Sequence, residues 1–378
     1  MSATSLAVFL SLAVWLVLLF GRGFFWLMRE RDDRETASNP DGWPSVTAVV
    51  PARDEANVIA QSLGSLLKQD YAGRFRVILV DDQSGDETGT LARSLGDARL
   101  TVLDGAAHPP GWTGKLFAVH QGVEHANADE PDYLWLTDAD ISHTPDNLRR
   151  LVARAEASKL VLVSLMAKLH CVSFAERFLI PAFVFFFAML FPFAWANDPK
   201  RRLAAAAGGC MLVRRDALTR AGGIEAIRGE IIDDCALAAR LKAQGPIWLG
   251  LSARAVSIRP YPHIADIRAM VARSAYAQLG YSPLILLGTV LGMALLYIVP
   301  LAGLATGGLG ALAGVLAWAI MVTMFQPILH FYRRSPLWGL ALPAIGVFYA
   351  AFTIDSAVQF WRGRGGMWKG RAQAIARI

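Results

Sequence analysis

Tyr133-Leu134-Trp135-Leu136-Thr137-Asp138-Ala139-Asp140 is an apolar run with strand character that ends in two carboxylates one residue apart. Mg²⁺ and Mn²⁺ take hard oxygen ligands, usually one or two carboxylates completed by phosphate oxygens. Asp138 and Asp140 at a strand end therefore make candidate metal ligands beside a diphosphate. Working outward, residues 45–50, 76–82 and 100–104 are further apolar or β-branched runs, separated by segments of helical composition. Between two of them, Val58, Ile59, Ser62, Leu63, Leu66 and Leu67 recur at helical spacing. Alternation of this kind predicts an α/β fold with a mostly parallel sheet.

In open α/β sheets ligands bind beyond the carboxyl ends of the strands. Three of the predicted strand ends are acidic: Pro51-Ala52-Arg53-Asp54-Glu55, Asp81-Asp82-Gln83-Ser84-Gly85-Asp86 and Asp138-Ala139-Asp140. Each alone reads equally as a helix cap or Asx turn. Together they point to one crevice. The chain has neither a Gly-x-Gly-x-x-Gly nor a Walker loop, which argues against a dinucleotide enzyme and a P-loop ATPase.

Composition places this domain at a membrane. The 378 residues are 54% hydrophobic and 18% charged, with a mean hydropathy of +0.38, and charges and apolar runs segregate along the chain. Residues 1–28 read as an N-terminal transmembrane anchor interrupted only by Arg22, without the basic start or cleavage site of a signal peptide. Arg29, Arg31 and Arg34 follow it, so the positive-inside rule puts the N-terminus outside and the next domain in the cytoplasm. Residues 284–360 hold three more apolar segments, at 284–303, 310–331 and 337–359. Three crossings would carry the tail, 361–378, to the far side, whereas Arg362, Arg364, Lys369, Arg371 and Arg377 favour the near one. Residues 178–196 are apolar but carry Pro181 and Pro192 and read as an interfacial segment, with a buried core helix as the alternative. Residues 261–282 read as a further interfacial helix.

Cys171, Cys210 and Cys235 are odd in number and widely spaced, which predicts neither a disulfide framework nor a zinc site. The net charge of +6 lies largely beside the membrane segments, where it sets topology and meets anionic lipid; no nucleic-acid partner is expected.

Val49-Val50-Pro51-Ala52-Arg53-Asp54-Glu55, Val80-Asp81-Asp82-Gln83-Ser84-Gly85-Asp86-Glu87-Thr88, Gly114-Lys115-x-x-Ala118, Asp138-Ala139-Asp140 and Asp233-Asp234-Cys235-Ala236-Leu237 resemble, in order, the motifs of family 2 glycosyltransferases. The resemblance covers about residues 44–260 and implies the nucleotide-sugar-binding fold called GT-A. Gly111-Trp112-Thr113-Gly114-Lys115 and Gly366-Met367-Trp368-Lys369-Gly370-Arg371 are similar to the hopene-associated branch, and more distantly to ceramide glucosyltransferases.

The resemblance implies that Pro51, Ala52, Arg53 and Glu55 border the nucleotide and that Asp82 receives a uracil edge. It also implies that Lys115 approaches the donor, with Asp138 near ribose and metal and Asp140 on the metal. Gly208 and Gly209 are similar to the acceptor-side loop, Asp233 to its neighbour, and Asp234 to the base. The same resemblance implies a divalent metal, Mn²⁺ or Mg²⁺, and inverting transfer from a nucleotide-sugar donor, UDP-linked, to a lipid acceptor at a bacterial-type inner membrane. Relatives often carry Gln/Arg-x-x-Arg-Trp, whereas this chain reads Met270-Val271-Ala272-Arg273-Ser274. Arg273 is kept as an acceptor-side candidate. The missing tryptophan favours transfer of one sugar over a processive polysaccharide synthase. A non-catalytic membrane scaffold is disfavoured by the intact carboxylates.

Overall fold

The computed structural model describes residues 3–34 and 38–373; Arg377 of the basic tail lies outside them. Two compact units form, one from Glu30–His170 and Phe193–Pro260, the other from Met1–Arg29, Cys171–Pro192 and Tyr261–Ile378.

The first unit is built on eight strands: β1 (Val46–Ala52), β2 (Phe75–Asp81), β3 (Leu100–Asp104), β4 (Tyr133–Thr137), β5 (Ile141–His143), β6 (Leu162–Lys168), β7 (Cys210–Arg214) and β8 (Ile247–Ser257). They lie in the order β3-β2-β1-β4-β7-β6-β8-β5. The β3-β2-β1-β4 half is parallel throughout, as the alternation predicts. Strand β7 then runs antiparallel to both β4 and β6.

Side chains alternate across the sheet. Val46, Ala48, Val50, Val77, Leu79 and Trp135 pack on one face with Ile59, Leu63 and Leu66 of the helix Ile59–Leu67. Val49, Ile78, Val80, Leu134 and Leu136 pack on the other, with Leu116, Val119 and Val123 of the helix Gly114–Asn127. That second helix lies close to the sheet because Gly122 has no side chain: a Cβ there would meet Val49 Cγ1 at 2.4 Å. The unit reaches back to Glu30, ahead of the expected start at 44. Leu251 N–H donates to the Glu30 carbonyl, and Arg254 pairs with the buried Asp32.

The second unit is helical. Four of its helices are long and apolar enough to cross a membrane: Ala3–Gly21, Pro283–Gly303, Gly308–Phe331 and Pro336–Trp361. The first stops at Gly21, short of Met28, where Gly23 and Phe24 take positive φ and reverse the chain. Arg22, the charge that interrupts the apolar run, donates from Nε to the Met189 carbonyl (3.1 Å) and from Nη2 to that of Leu190 (2.9 Å). These are the last carbonyls of the helix Phe174–Leu190, which has no further turn to satisfy them. That helix begins with a capping box between Ser173 and Glu176, and Leu179, Ile180, Val184 and Phe185 are wholly buried. Of the apolar stretch expected at the membrane surface, residues 178–190 are an ordered helix of this unit, whereas Phe193–Asn197 forms a short helix of the first unit. Residues 261–282 hold the short helices Ile264–Ala272 and Ala275–Gln278.

Gly122→Val should lower stability by about 1–3 kcal/mol through overpacking against Val49 and Val80. A thermal melt of the detergent-solubilised protein measures this, with Gly64→Val, where a Cβ meets nothing within 4 Å, as the tolerated control.

Candidate active site

The carboxyl ends of β1 and β2 are laced together before any ligand is considered. Arg53 Nη1 donates to the carbonyls of Asp82 (2.5 Å) and Gln83 (3.0 Å), and Asp82 N–H donates to the Ala52 carbonyl (2.8 Å). Asp54 accepts from Gly85 N–H, and Asp86 accepts from the N–H groups of Ala56 and Thr88. The turn reading of these acidic ends is therefore correct for Asp54 and Asp86. Asp82 is 1% exposed, with Arg53 Nη1 3.8 Å from its Oδ2. Ala52 is equally buried.

A different set of residues faces open space. Pro51, Lys115, Asp138, Gly208, Asp233 and Asp234 line an open cleft of about 360 Å³, solvent at its mouth included. Lys115 enters it from the first turn of the helix Gly114–Asn127, which Thr113 caps by accepting from Leu116 N–H. Its ammonium bridges Asp138 Oδ1 and Asp233 Oδ2, each at 3.0 Å. The strand-end carboxylate and the Asp233-Asp234 pair thus share one cation.

Asp233 and Asp234 open the helix Asp233–Lys242. Asp234 Oδ1 accepts from Cys235 N–H at 2.7 Å and Oδ2 from Gly208 N–H at 2.9 Å. Burial, with the charge of Asp233 added, pushes its carboxyl up to about 6, against the opposing pull of Lys115 and the two N–H donors. A carboxylate poised near neutrality suits a general base. Gly208 leaves the cleft open: a Cβ there would sit 3.4 Å from Lys115 Nζ and 3.6 Å from Asp234 Oδ2.

Beneath the cleft runs a buried polar chain. Thr137 Oγ1 donates to the Gly209 carbonyl (2.8 Å) and meets His143 Nε2 (2.9 Å), while Asn147 Nδ2 meets His143 Nδ1 (3.0 Å). With the threonine proton spent on Gly209, His143 must donate from Nε2 and accept at Nδ1, the neutral form. Burial favours that form, holding the imidazole down at about 3. This chain ties the end of β4 to the loop that presents Gly208 N–H to Asp234.

Asp140 and Glu55 lie on another network. Arg259 Nε donates to Asp140 Oδ2 at 2.7 Å, and Nη2 donates to both oxygens of Glu55. The sequence carried no signal for Arg259, because its place follows from the pairing of β5 with β8. Arg273 belongs to the helical unit, exposed at the end of the helix Ile264–Ala272. As for a metal, no group of three or more His, Cys, Asp or Glu forms among the described residues. The donor set is two hard carboxylates, Asp138 and Asp140, each paired with a protein cation. That set fits Mg²⁺ or Mn²⁺ completed by phosphate oxygens.

The family described as Glycosyl transferase family 2 matches residues 47–222, which include β1, β4, Lys115, both strand-end aspartates and the Gly208-Gly209 loop. Over these residues, just under half of the chain, the sequence is similar to that family. The 4,4'-diaponeurosporenoate glycosyltransferases of two Staphylococcus aureus strains are 37% identical (strain bovine RF122 / ET3-1) and 36% identical (strain MRSA252) over 98 residues. Those matches cover 26% of this chain and 24% of the relatives, so the shared part is about a quarter of either. The structure of a mannosyltransferase from Pyrobaculum calidifontis in complex with GDP-Man and Mn²⁺ is similar with a TM-score of 0.57 at 20% identity. It covers 96% of this chain and 100% of that one, and it shares the fold.

Lys115 lowers the proton affinity of Asp234, so Lys115→Met should raise it further. The acid limb of the residual kcat/KM profile is expected to move from near pH 6 to higher pH; an unmoved limb would separate Lys115 from the base.

Proposed function

We propose that the protein is a membrane-bound, inverting glycosyltransferase that moves one sugar from a nucleotide-sugar donor, UDP-linked, to a lipid acceptor. The observation that carries the reading is Asp234: a carboxylate with raised proton affinity, fixed by Gly208 N–H, on the cleft it shares with Asp138 and Lys115.

In this reading the acceptor hydroxyl enters over Gly208, where no side chain obstructs it. Ionised Asp234 takes its proton as the hydroxyl oxygen bonds to the anomeric carbon and the bond to the diphosphate breaks on the opposite face, inverting the centre once. Lys115 meets the charge developing on the departing diphosphate, and Asp138, which it already pairs, orients it. A bound Mn²⁺ or Mg²⁺ supplies further neutralisation there, and Asp138 and Asp140 are the residues that would hold it. Pro51, Arg53, Glu55 and Asp82 border the nucleotide side.

Four apolar helices support a membrane enzyme acting on an apolar acceptor, and the Staphylococcus relatives are named for 4,4'-diaponeurosporenoate. The arginines after residue 28 favour an inner-membrane protein with its catalytic domain in the cytoplasm. A hopanoid acceptor rests on the resemblance of the Gly111–Lys115 and Gly366–Arg371 motifs.

Asp234→Asn should lower kcat by about 100-fold or more while nucleotide-sugar binding persists. Retained turnover would remove Asp234 from the base role. The same substitution should raise the melting temperature at pH 7. Folded Asp234 keeps its proton up to about 6, whereas an unfolded aspartate loses it near 3.8, so its ionisation destabilises the fold as pH rises through that window. Comparative lipid mass spectrometry of cells with and without the gene should reveal one missing glycolipid species, naming sugar and acceptor together. An unchanged lipid profile would count against a lipid acceptor.

A further inference from the structure

Arg259 is the basic residue of the donor side that the proposed reaction does not use. It stands two residues beyond Ser257, the last residue of β8, and its backbone is not free to wander. Ser257 pairs with Ile141 across β5–β8, and Ile258 N–H donates to the Asp140 carbonyl at 2.9 Å. The guanidinium is thereby held beside the Asp140 side chain. From there its planar fork reaches two carboxylates from different loops, Asp140 through Nε and Glu55 through Nη2. Glu55 is only 8% exposed, so a cation beside it is close to obligatory.

We propose that Arg259 is a resident counter-cation that makes divalent-metal binding at Asp140 conditional on the nucleotide diphosphate. The proposal rests on the donor site of the proposed glycosyltransferase. Without a nucleotide, a metal ion approaching Asp140 meets an oxygen already committed to Arg259 and a fixed positive charge at hydrogen-bond distance from that oxygen. A diphosphate changes both conditions. Its oxygens complete the metal shell, and they offer a guanidinium the acceptors it matches best, so Arg259 can turn from Asp140 to phosphate while keeping Glu55. Lys115 stands to Asp138 as Arg259 stands to Asp140, but it also pairs with Asp233 and its charge acts on Asp234, so Arg259 is the cleaner residue to change.

The test is Mn²⁺ binding to the purified full-length protein, followed by the EPR signal of free Mn²⁺ with and without saturating UDP or GDP and corrected by protein-free controls for the Mn²⁺ that the diphosphate itself chelates, so that turnover plays no part in the readout. Wild type should bind Mn²⁺ at least about tenfold more tightly with nucleoside diphosphate than without. Arg259→Met should bind Mn²⁺ about tenfold more tightly than wild type when nucleotide is absent, because the Arg259 charge no longer occupies Asp140, and the nucleotide enhancement should shrink. Arg259→Lys keeps a charge for Glu55 but lacks the fork that spans both carboxylates. It should shift in the same direction by less, and it carries the test if the methionine variant does not fold. Equal nucleotide-free Mn²⁺ affinity in wild type and the folded variants, with nucleotide still bound, overturns the role of Arg259 alone. Failure of wild type to bind either diphosphate, even with Mn²⁺, overturns the donor site and this proposal together.

Discussion

The antiparallel pairing of β4 with β7 is the constraint on which the site depends. Its register sets Thr137 opposite Cys210, so the strand that delivers Asp138 ends beside the loop that carries Gly208 and Gly209. A one-residue slip would turn Asp138 to the other face and carry the Gly208 N–H away from Asp234. The Thr137–His143–Asn147 chain holds that register from below. With the threonine proton given to Gly209, the imidazole donates from Nε2 and accepts at Nδ1 from Asn147. A buried imidazole kept neutral by desolvation cannot change its hydrogen-bonding pattern near physiological pH, so the floor of the cleft is stiff beneath Asp234, whose proton affinity is raised.

The electrostatics of the cleft are arranged in shared pairs. Lys115 serves Asp138 and Asp233, and Arg259 serves Asp140 and Glu55. Asp234 is held instead by two backbone N–H groups, and burial together with Asp233 raises its proton affinity. The difference separates roles: the carboxylates paired with Lys115 and Arg259 can exchange partners, whereas Asp234, with its raised proton affinity, can accept and release a proton.

Much of this was legible in the sequence because it is local. The parallel half of the sheet followed from alternating strand and helix composition, and the four apolar helices from their lengths. Lys115, Asp138, Gly208, Asp233 and Asp234 stood in motifs whose order was readable, and the fold brings them to one cleft. What could not be read depends on pairings between distant segments. Arg259 has no motif of its own and acquires a place through β5–β8. His143 looks like any strand-end histidine until Thr137 and Asn147 close around it. The division of the acidic strand ends also needed geometry: Asp54 and Asp86 secure turns and Asp82 is covered, while Asp138 opens to the cleft, although all four stand in similar sequence surroundings.

Arg22 was an anomaly in an apolar segment and becomes a cap on the helix Phe174–Leu190. Trp15 of the same N-terminal helix donates to the Leu296 carbonyl at 3.0 Å, where the helix beginning at Pro283 loosens into a π turn. The first helix and the residue that follows it therefore satisfy backbone carbonyls of two other helices. This segment is an integral wall of the helical unit and not a leash, so trimming it to obtain a water-soluble enzyme would uncap one helix and unsettle another, and exchanging it for a generic hydrophobic anchor would restore attachment without restoring either contact.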